Sequence, residues 1–139
     1  QDADKNMLTN DLDTMQNFRN PNAENLFFFY IEAKKGSVIL MAVCNYTTPY
    51  SLLDAMNERI SLNRKFSDNE FQQIMKFLLE ILNKMKNQNI IHRGLTPSAI
   101  VFQKKNDFSA LIVKNFFFAS NSPSGTAKGL TGTLWYSAP

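Results

Sequence analysis

The side chains of this chain that could do chemistry gather around its only histidine, His92. Arg93 follows it directly, whereas Gly94 and Ala99 in the same stretch offer no polar side-chain atom. Histidine can carry a proton near neutral pH, but a lone histidine is more often a packed structural residue than a catalyst. Asn115, further along the chain, has a carbonyl oxygen but lacks the charge that makes a carboxylate a good ligand for Mg²⁺. These residue types favour a loop without a base and without a complete metal site.

The stretch from His92 to Ala99 resembles the catalytic loop of protein kinases. That loop reads H-R-D-L-K-P-x-N, in which the Asp is the base and the Asn is a magnesium ligand. Four residues match the motif: His92, Arg93, Leu95 and Pro97. Three reactive positions differ, because the Asp, the Lys and the Asn are replaced by Gly94, Thr96 and Ala99. The resemblance implies that the frame of the loop is kept without its reactive groups.

Two later segments follow in the order that this resemblance requires. Leu111 to Ala119 resembles the strand that leads into the D-F-G motif, with Asn115 for the Asp and Phe117 for the Gly. Gly132 to Pro139 resembles the G-T-x-x-Y-x-A-P run that closes the activation segment of serine/threonine-type kinases. The chain is therefore similar to the protein kinase superfamily, in the catalytically degenerate form called a pseudokinase.

Two earlier segments fit the same order. Asn20-Pro21-Asn22 resembles the H-P-N turn after the family's helix C, and counting back from it places Asp11 at the glutamate position of that helix. Val38 to Cys44 resembles the strand that runs through a gatekeeper, here Met41, into the hinge. The residues that would then line an adenine pocket are Met41, Ala42 and Cys44. The alternative is a buried strand that binds no ligand.

The resemblance implies an α+β, protein-kinase-like fold that this chain covers in part. The covered parts would be the end of helix C, the fourth and fifth strands, the hinge, helices D and E, the catalytic-loop region, the seventh and eighth strands and the activation segment. Residues 1–139 would form one incomplete domain. Within it, 1–46 would be the remainder of the N-lobe with the hinge, and 47–139 the first part of the C-lobe.

Hydrophobic periodicity supports several of these elements independently. The strongest prediction is a helix over 68–86, because Ser67 and Glu70 form a capping box ahead of an apolar pattern. That pattern is wide enough to expect burial on more than one side of the helix. The other predicted elements are a helix over 5–18, a β-hairpin over 26–31 and 37–43, a short helix over 50–56 and a second hairpin over 99–102 and 110–113.

The composition narrows the class of protein. A hydrophobic fraction of 44% and a charged fraction of 19% are typical of a globular domain. The formal charge of +3 comes from scattered basic residues without interleaved aromatics, which argues against nucleic-acid binding. A single cysteine excludes an internal disulfide and a cysteine-based metal site. The longest apolar run is too short to span a bilayer, so a cytoplasmic protein without membrane contact is expected.

Three functions remain open from the sequence. The first is a module that binds and regulates another protein, with an active kinase among the candidates, and that transfers no phosphate. The second is a divergent serine/threonine kinase with weak ATP binding or residual activity. The third is a piece of a larger domain without a function of its own. No cofactor is expected, and any ATP would bind without magnesium. Arg93 has a separate implied role, since the matching arginine in the family can pair with a phosphate on the activation segment.

Overall fold

The structure, a computed structural model, describes residues 12–34, 37–126 and 132–136. The described helices are α1 (residues 12–17), α2 (Leu52–Ser61) and α3 (Asp68–Asn87). The described strands are β1 (Leu26–Lys34), β2 (Ser37–Cys44), β3 (Ile90–Ile91), β4 (Ile100–Phe102), β5 (Leu111–Val113) and β6 (Ser120–Asn121). Short 3-10 turns cover Pro97–Ala99, Phe116–Phe118 and Leu134–Tyr136. Asp11 and the beginning of the helix predicted over 5–18 lie outside the described residues.

The strands form three antiparallel pairs. β1 pairs with β2, which confirms the first predicted hairpin with longer strands than expected. β4 pairs with β5, which confirms the second. β3 pairs with β6 over two residues on each strand. This last pair was not predicted, because two-residue strands leave no periodic pattern in a sequence.

Both longer helices begin at a reciprocal capping box. In α2 the Ser51 hydroxyl accepts from the Asp54 amide at 3.2 Å, and the Asp54 carboxylate accepts from the Ser51 amide at 2.7 Å. Two donors that would otherwise be unpaired at the helix start are thereby satisfied. The helix predicted over 50–56 therefore begins later, at Leu52, and it continues to Ser61.

The longest helix, α3, begins after Ser67 as predicted, with Glu70 completing its capping box. One face is buried in the core, through Ile74, Phe77, Ile81 and Met85. A second face carries large apolar side chains that are exposed, namely Phe71, Met75, Leu79 and Leu82. Within the described residues, the expected burial on more than one side is thus met on one side only. None of the described helices has both the length and the apolar character to cross a bilayer.

Strand β5 is the element that brings the N-terminal part of the chain against the loop around His92. The Val113 amide donates to the Asn22 carbonyl at 2.9 Å, and the Glu24 amide donates to the Val113 carbonyl at 2.7 Å. These bonds anchor the turn that was compared with H-P-N onto the strand that ends just before Asn115. The side chains that α1 and its end contribute to the core are Leu12, Met15 and Phe18.

Candidate functional site

His92 is buried, and both of its ring nitrogens are engaged by backbone groups. The Gly94 amide donates to Nδ1 at 3.2 Å, so the ring proton must sit on Nε2, which lies 3.1 Å from the Lys114 carbonyl oxygen. The Phe116 ring packs 4.7 Å from the imidazole, centre to centre. Burial lowers the pKa of His92 below its usual value. The histidine is therefore neutral at pH 7 and joins the loop to the end of β5, with no nitrogen left to move a proton.

Gly94 lies in this loop at the position where the kinase motif has its base. Its backbone is outside the left-handed region, so its conformation does not require glycine. A Cβ there would lie 3.5 Å from the Phe118 ring and 3.8 Å from His92 Nδ1, which are ordinary contacts. The position has room for a side chain and carries none. Gly94 itself has no side chain that could accept a proton.

Arg93 connects the loop to the segment that follows β5. Its backbone is left-handed (φ 58°), and its Nε donates to the Phe118 carbonyl oxygen. The other end of the same segment touches the same loop, because a Cβ on Gly132 would lie 2.0 Å from the Arg93 carbonyl oxygen. Only glycine fits at such a close approach, and Gly132 also has a positive φ of 104°. Phe118 and Gly132 thus both contact the loop at Arg93.

Thr96 and Ala99 close the far side of the loop. The Ala99 amide donates to the Thr96 carbonyl at 2.9 Å, and the Thr96 hydroxyl lies 2.8 Å from that of Ser98. The Ala99 carbonyl accepts from the Lys114 amide at 2.8 Å, and its methyl group is fully buried. Ala99 therefore contributes packing and a backbone bond, whereas the Asn of the kinase motif contributes an oxygen to magnesium.

Asn115 stands at the end of β5 in a left-handed conformation (φ 66°, ψ 50°), which asparagine tolerates better than most residues. Its amide donates to a carboxylate oxygen of Glu24 at 3.1 Å, and the residue is exposed. Glu24 was not predicted as part of the site. A contact between residues 91 positions apart arises from the fold and leaves no local sequence signal.

The structure thus brings the predicted positions 92, 93, 94, 99 and 115 together at the end of β5. The two segments are linked by packing contacts and by hydrogen bonds to backbone carbonyl groups, which come from the side chains of His92 and Arg93 and from the Lys114 amide. In the ranges that the structure describes, there is no group of three or more His, Cys, Asp or Glu side chains placed to hold a metal ion. The arrangement is that of a closed loop with a neutral interior.

A comparison with known protein families matches the protein kinase domain over residues 1–139. The chain belongs to the protein kinase family. Among its relatives is the calcium/calmodulin-dependent protein kinase cmkA of Emericella nidulans, 25% identical over 139 residues that make up 99% of this chain and 32% of the relative. Calcium-dependent protein kinase 5 of Plasmodium berghei is 30% identical over 126 residues, 90% of this chain and 21% of the relative.

A third relative of this kinase-family chain is the phosphorylase b kinase gamma catalytic chain, liver/testis isoform, of Bos taurus. It is 29% identical over 110 residues, which are 78% of this chain and 25% of the relative. The chain therefore spans between a fifth and a third of the length of these three kinases. All three relatives are named as kinases, two of them with calcium in the name and the third with phosphorylase b.

The residues predicted to form the kinase hinge and adenine pocket do not share one face of β2. Met41 is exposed, and its sulfur lies 2.6 Å from the Tyr30 hydroxyl on the neighbouring strand. Ala42 and Cys44 are half-buried and pack against the core. Burial, and next the charge of Glu24, raise the pKa of the Cys44 thiol. Met41 therefore lies on the exposed side of β2, whereas Ala42 and Cys44 lie on its inner side. That these three residues line an adenine pocket stays a prediction.

Proposed function

We propose that this protein kinase-family chain is a pseudokinase segment, which binds and regulates a partner protein and does not transfer phosphate. Its proposed partner is another protein, with an active kinase as a candidate, and its proposed setting is the cytoplasm. The observation that carries the proposal is made at Gly94, where the loop has room for a side chain but carries none. The backbone amide of Gly94 donates a hydrogen bond to His92.

Phosphoryl transfer by a kinase depends on positioning and on neutralising charge. A base must accept the proton of the substrate hydroxyl, and metal ions must bridge the phosphates. In this chain the space in front of Gly94 faces the Phe118 ring, an apolar group, at the position where that proton would be accepted. His92 cannot substitute for the base, because both of its nitrogens are engaged by backbone groups.

The two positions that would hold magnesium support the same conclusion. Ala99 has no side-chain oxygen, and its methyl group is buried. Asn115 has a neutral amide, which is a weaker ligand for a hard cation than a carboxylate. Since catalytic groups act as a unit, the loss of even one of them can remove orders of magnitude in rate. In this chain the base and both metal-ligand positions are replaced.

A divergent kinase with residual activity is the second candidate. It is favoured by the frame of the site, since His92 and Phe116 are packed together and the related proteins are named as kinases. In this case ATP would bind weakly and would be used through groups outside the loop.

Transfer of labelled γ-phosphate from ATP to dephosphorylated casein separates the two candidates. We expect the purified protein to give no transfer above a heat-killed sample of the same protein, in the presence of magnesium. The triple variant Gly94→Asp, Ala99→Asn, Asn115→Asp restores the base and the two metal-ligand side chains, and it serves as the comparison in the same assay. Transfer by the wild-type protein above the heat-killed sample would overturn the proposal and support the second candidate.

A further inference from the structure

A shallow groove runs beside the start of α3, on a surface that the catalytic-loop region does not use. One part of it, about 480 Å³, lies between α3 and the β4–β5 turn, and Lys104 and Lys105 stand on its edge. The adjoining part lies between the end of α2 and the connection to α3, with Arg64 and Lys65 on its edge. Both parts share Glu70 and Asn106, so they form one continuous surface, here called the basic groove.

The floor of the basic groove is held in place by Arg59. Its guanidinium stacks 4.3 Å from the Phe66 ring and 5.2 Å from the Phe108 ring, and it pairs with Glu70 at the start of α3. Arginine stacked on aromatic faces and paired at the same time loses little further freedom when a ligand arrives. The groove is therefore largely formed before a partner binds.

The acidic residues of the groove are each engaged within the chain. Glu58 pairs with Lys105 at 3.3 Å and accepts from the Tyr50 hydroxyl. Asp107 accepts from the amide and the hydroxyl of Ser109 at 3.0 and 2.5 Å. Besides Arg59, Glu70 binds the Ser67 amide at 2.8 Å. Glu58 and Glu70 are each paired with a cation of the groove, whereas the charge of Asp107 acts on Lys104 without a direct ion pair. The groove is lined by five cations and three carboxylates, so a net positive charge remains on it.

Three cations on the rim have no such partner. Within the described residues, Arg64 and Lys65 at one end and Lys104 at the other form no ion pair with a carboxylate. Because these cations lie at separate ends of one groove, they match a ligand whose negative charges are also separated along its length. A single small anion could satisfy one end only.

We propose that the basic groove docks an extended acidic segment of a partner protein, which contacts Arg64 and Lys65 at one end and Lys104 at the other. Charge complementarity of this kind supplies specificity and speeds association. A nucleic acid fits the groove less well. The Phe66 and Phe108 rings are covered by the Arg59 guanidinium, so they do not offer a stacking surface to bases.

This inference deepens the proposed function, on which it rests in taking the chain to act by binding a partner. The two tests fail separately, since docking is measured without ATP and phosphate transfer is measured without the acidic ligand. A phosphate-transferring chain with an occupied basic groove would overturn only the proposal of an inactive module.

The test is fluorescence anisotropy of the full chain with a labelled peptide of alternating glutamate and glycine. The groove variant is Arg64→Ala, Lys65→Ala, Lys104→Ala. The matched control, Lys76→Ala, Lys84→Ala, Lys86→Ala, removes the same charge from exposed positions on α3. We expect the groove variant to bind the peptide about tenfold more weakly than the control does, a loss of about 1.4 kcal/mol.

Two further probes complete the design. The same peptide with glutamine for glutamate should not bind, and a single-stranded oligonucleotide should bind more weakly than the acidic peptide. Equal weakening in both triple variants would show attraction to net charge alone and would overturn the proposal. Tighter, groove-dependent binding of the oligonucleotide would also overturn it, in favour of a nucleic-acid surface. Circular dichroism of both variants checks that each remains folded.

Discussion

The catalytic-loop region contains two sets of residues with opposite character. The frame, consisting of His92, Phe116 and Phe18, is buried and continuous: the two Phe rings lie 5.4 Å apart and the imidazole packs on Phe116. The reactive positions beside it hold a glycine, a buried methyl group and an exposed neutral amide. The frame depends on packing and on hydrogen bonds between the His92 ring and backbone groups. None of these contacts uses a side chain of the reactive positions, so the loop can keep its shape when those side chains are replaced.

The largest difference in stability is expected between alanine variants of two neighbouring phenylalanines. Phe116→Ala should cost about 3–5 kcal/mol of unfolding free energy, because it removes a fully buried ring from the frame. Phe118→Ala should cost less than about 1 kcal/mol, since that side chain is 44% exposed. Urea denaturation of both variants measures the difference. Equal costs would break the division between the frame and its surroundings.

The next effect concerns two glycines with positive φ. Gly132→Ala should cost about 1–3 kcal/mol or detach the segment from the loop, because its Cβ would overlap the Arg93 carbonyl oxygen. Gly125→Ala has a similar backbone (φ 71°) but open space around it, so it should cost about 1 kcal/mol. Hydrogen exchange over residues 116–126 reports detachment. Faster exchange in the Gly125 variant than in the Gly132 variant would contradict the proposed importance of the contact between Gly132 and Arg93.

A smaller effect is expected from pH. The pKa of His92 is lowered in the folded state, so the unfolded chain binds more protons between that pKa and the usual value near 6.5. Stability should therefore be complete above about pH 6.5 and fall as the pH drops through the folded pKa. His92 is the only histidine, so His92→Gln should reduce the dependence of the melting temperature on pH between pH 7 and 5. An unchanged slope in this variant would assign the dependence to other groups.

The smallest effect is expected at a reactive position itself. Gly94→Asp should change the unfolding free energy by about 0.5 kcal/mol or less, since the Cβ has room and the backbone does not require glycine. It should also leave phosphate transfer absent, because Ala99 and Asn115 still provide no full metal site. Thermal melts measure the change in stability, and the casein assay measures phosphate transfer. A large loss of stability would mean that glycine is needed for the frame.

The sequence predicted local elements better than long-range contacts. The capping box of Ser67 and Glu70 located α3, and apolar runs beside turn residues located both hairpins. Two contacts join distant parts of the chain: the close approach of Gly132 to the Arg93 carbonyl and the hydrogen bond from the Asn115 amide to Glu24. No local sequence pattern encodes either contact. The exposure of Met41 could not be predicted for a related reason. An uninterrupted apolar strand shows no alternation that would separate its inner from its outer side.

The central claim is that the loop keeps its frame without a site for metal-bound phosphate. Isothermal titration with ATP, in the presence and absence of magnesium, tests it most directly, with Ala99→Asn, Asn115→Asp as the variant that restores both ligand positions. We expect magnesium to leave the wild-type affinity for ATP unchanged, including the case in which neither titration shows binding. A clear magnesium-dependent gain in the affinity of the wild-type protein for ATP would contradict the account.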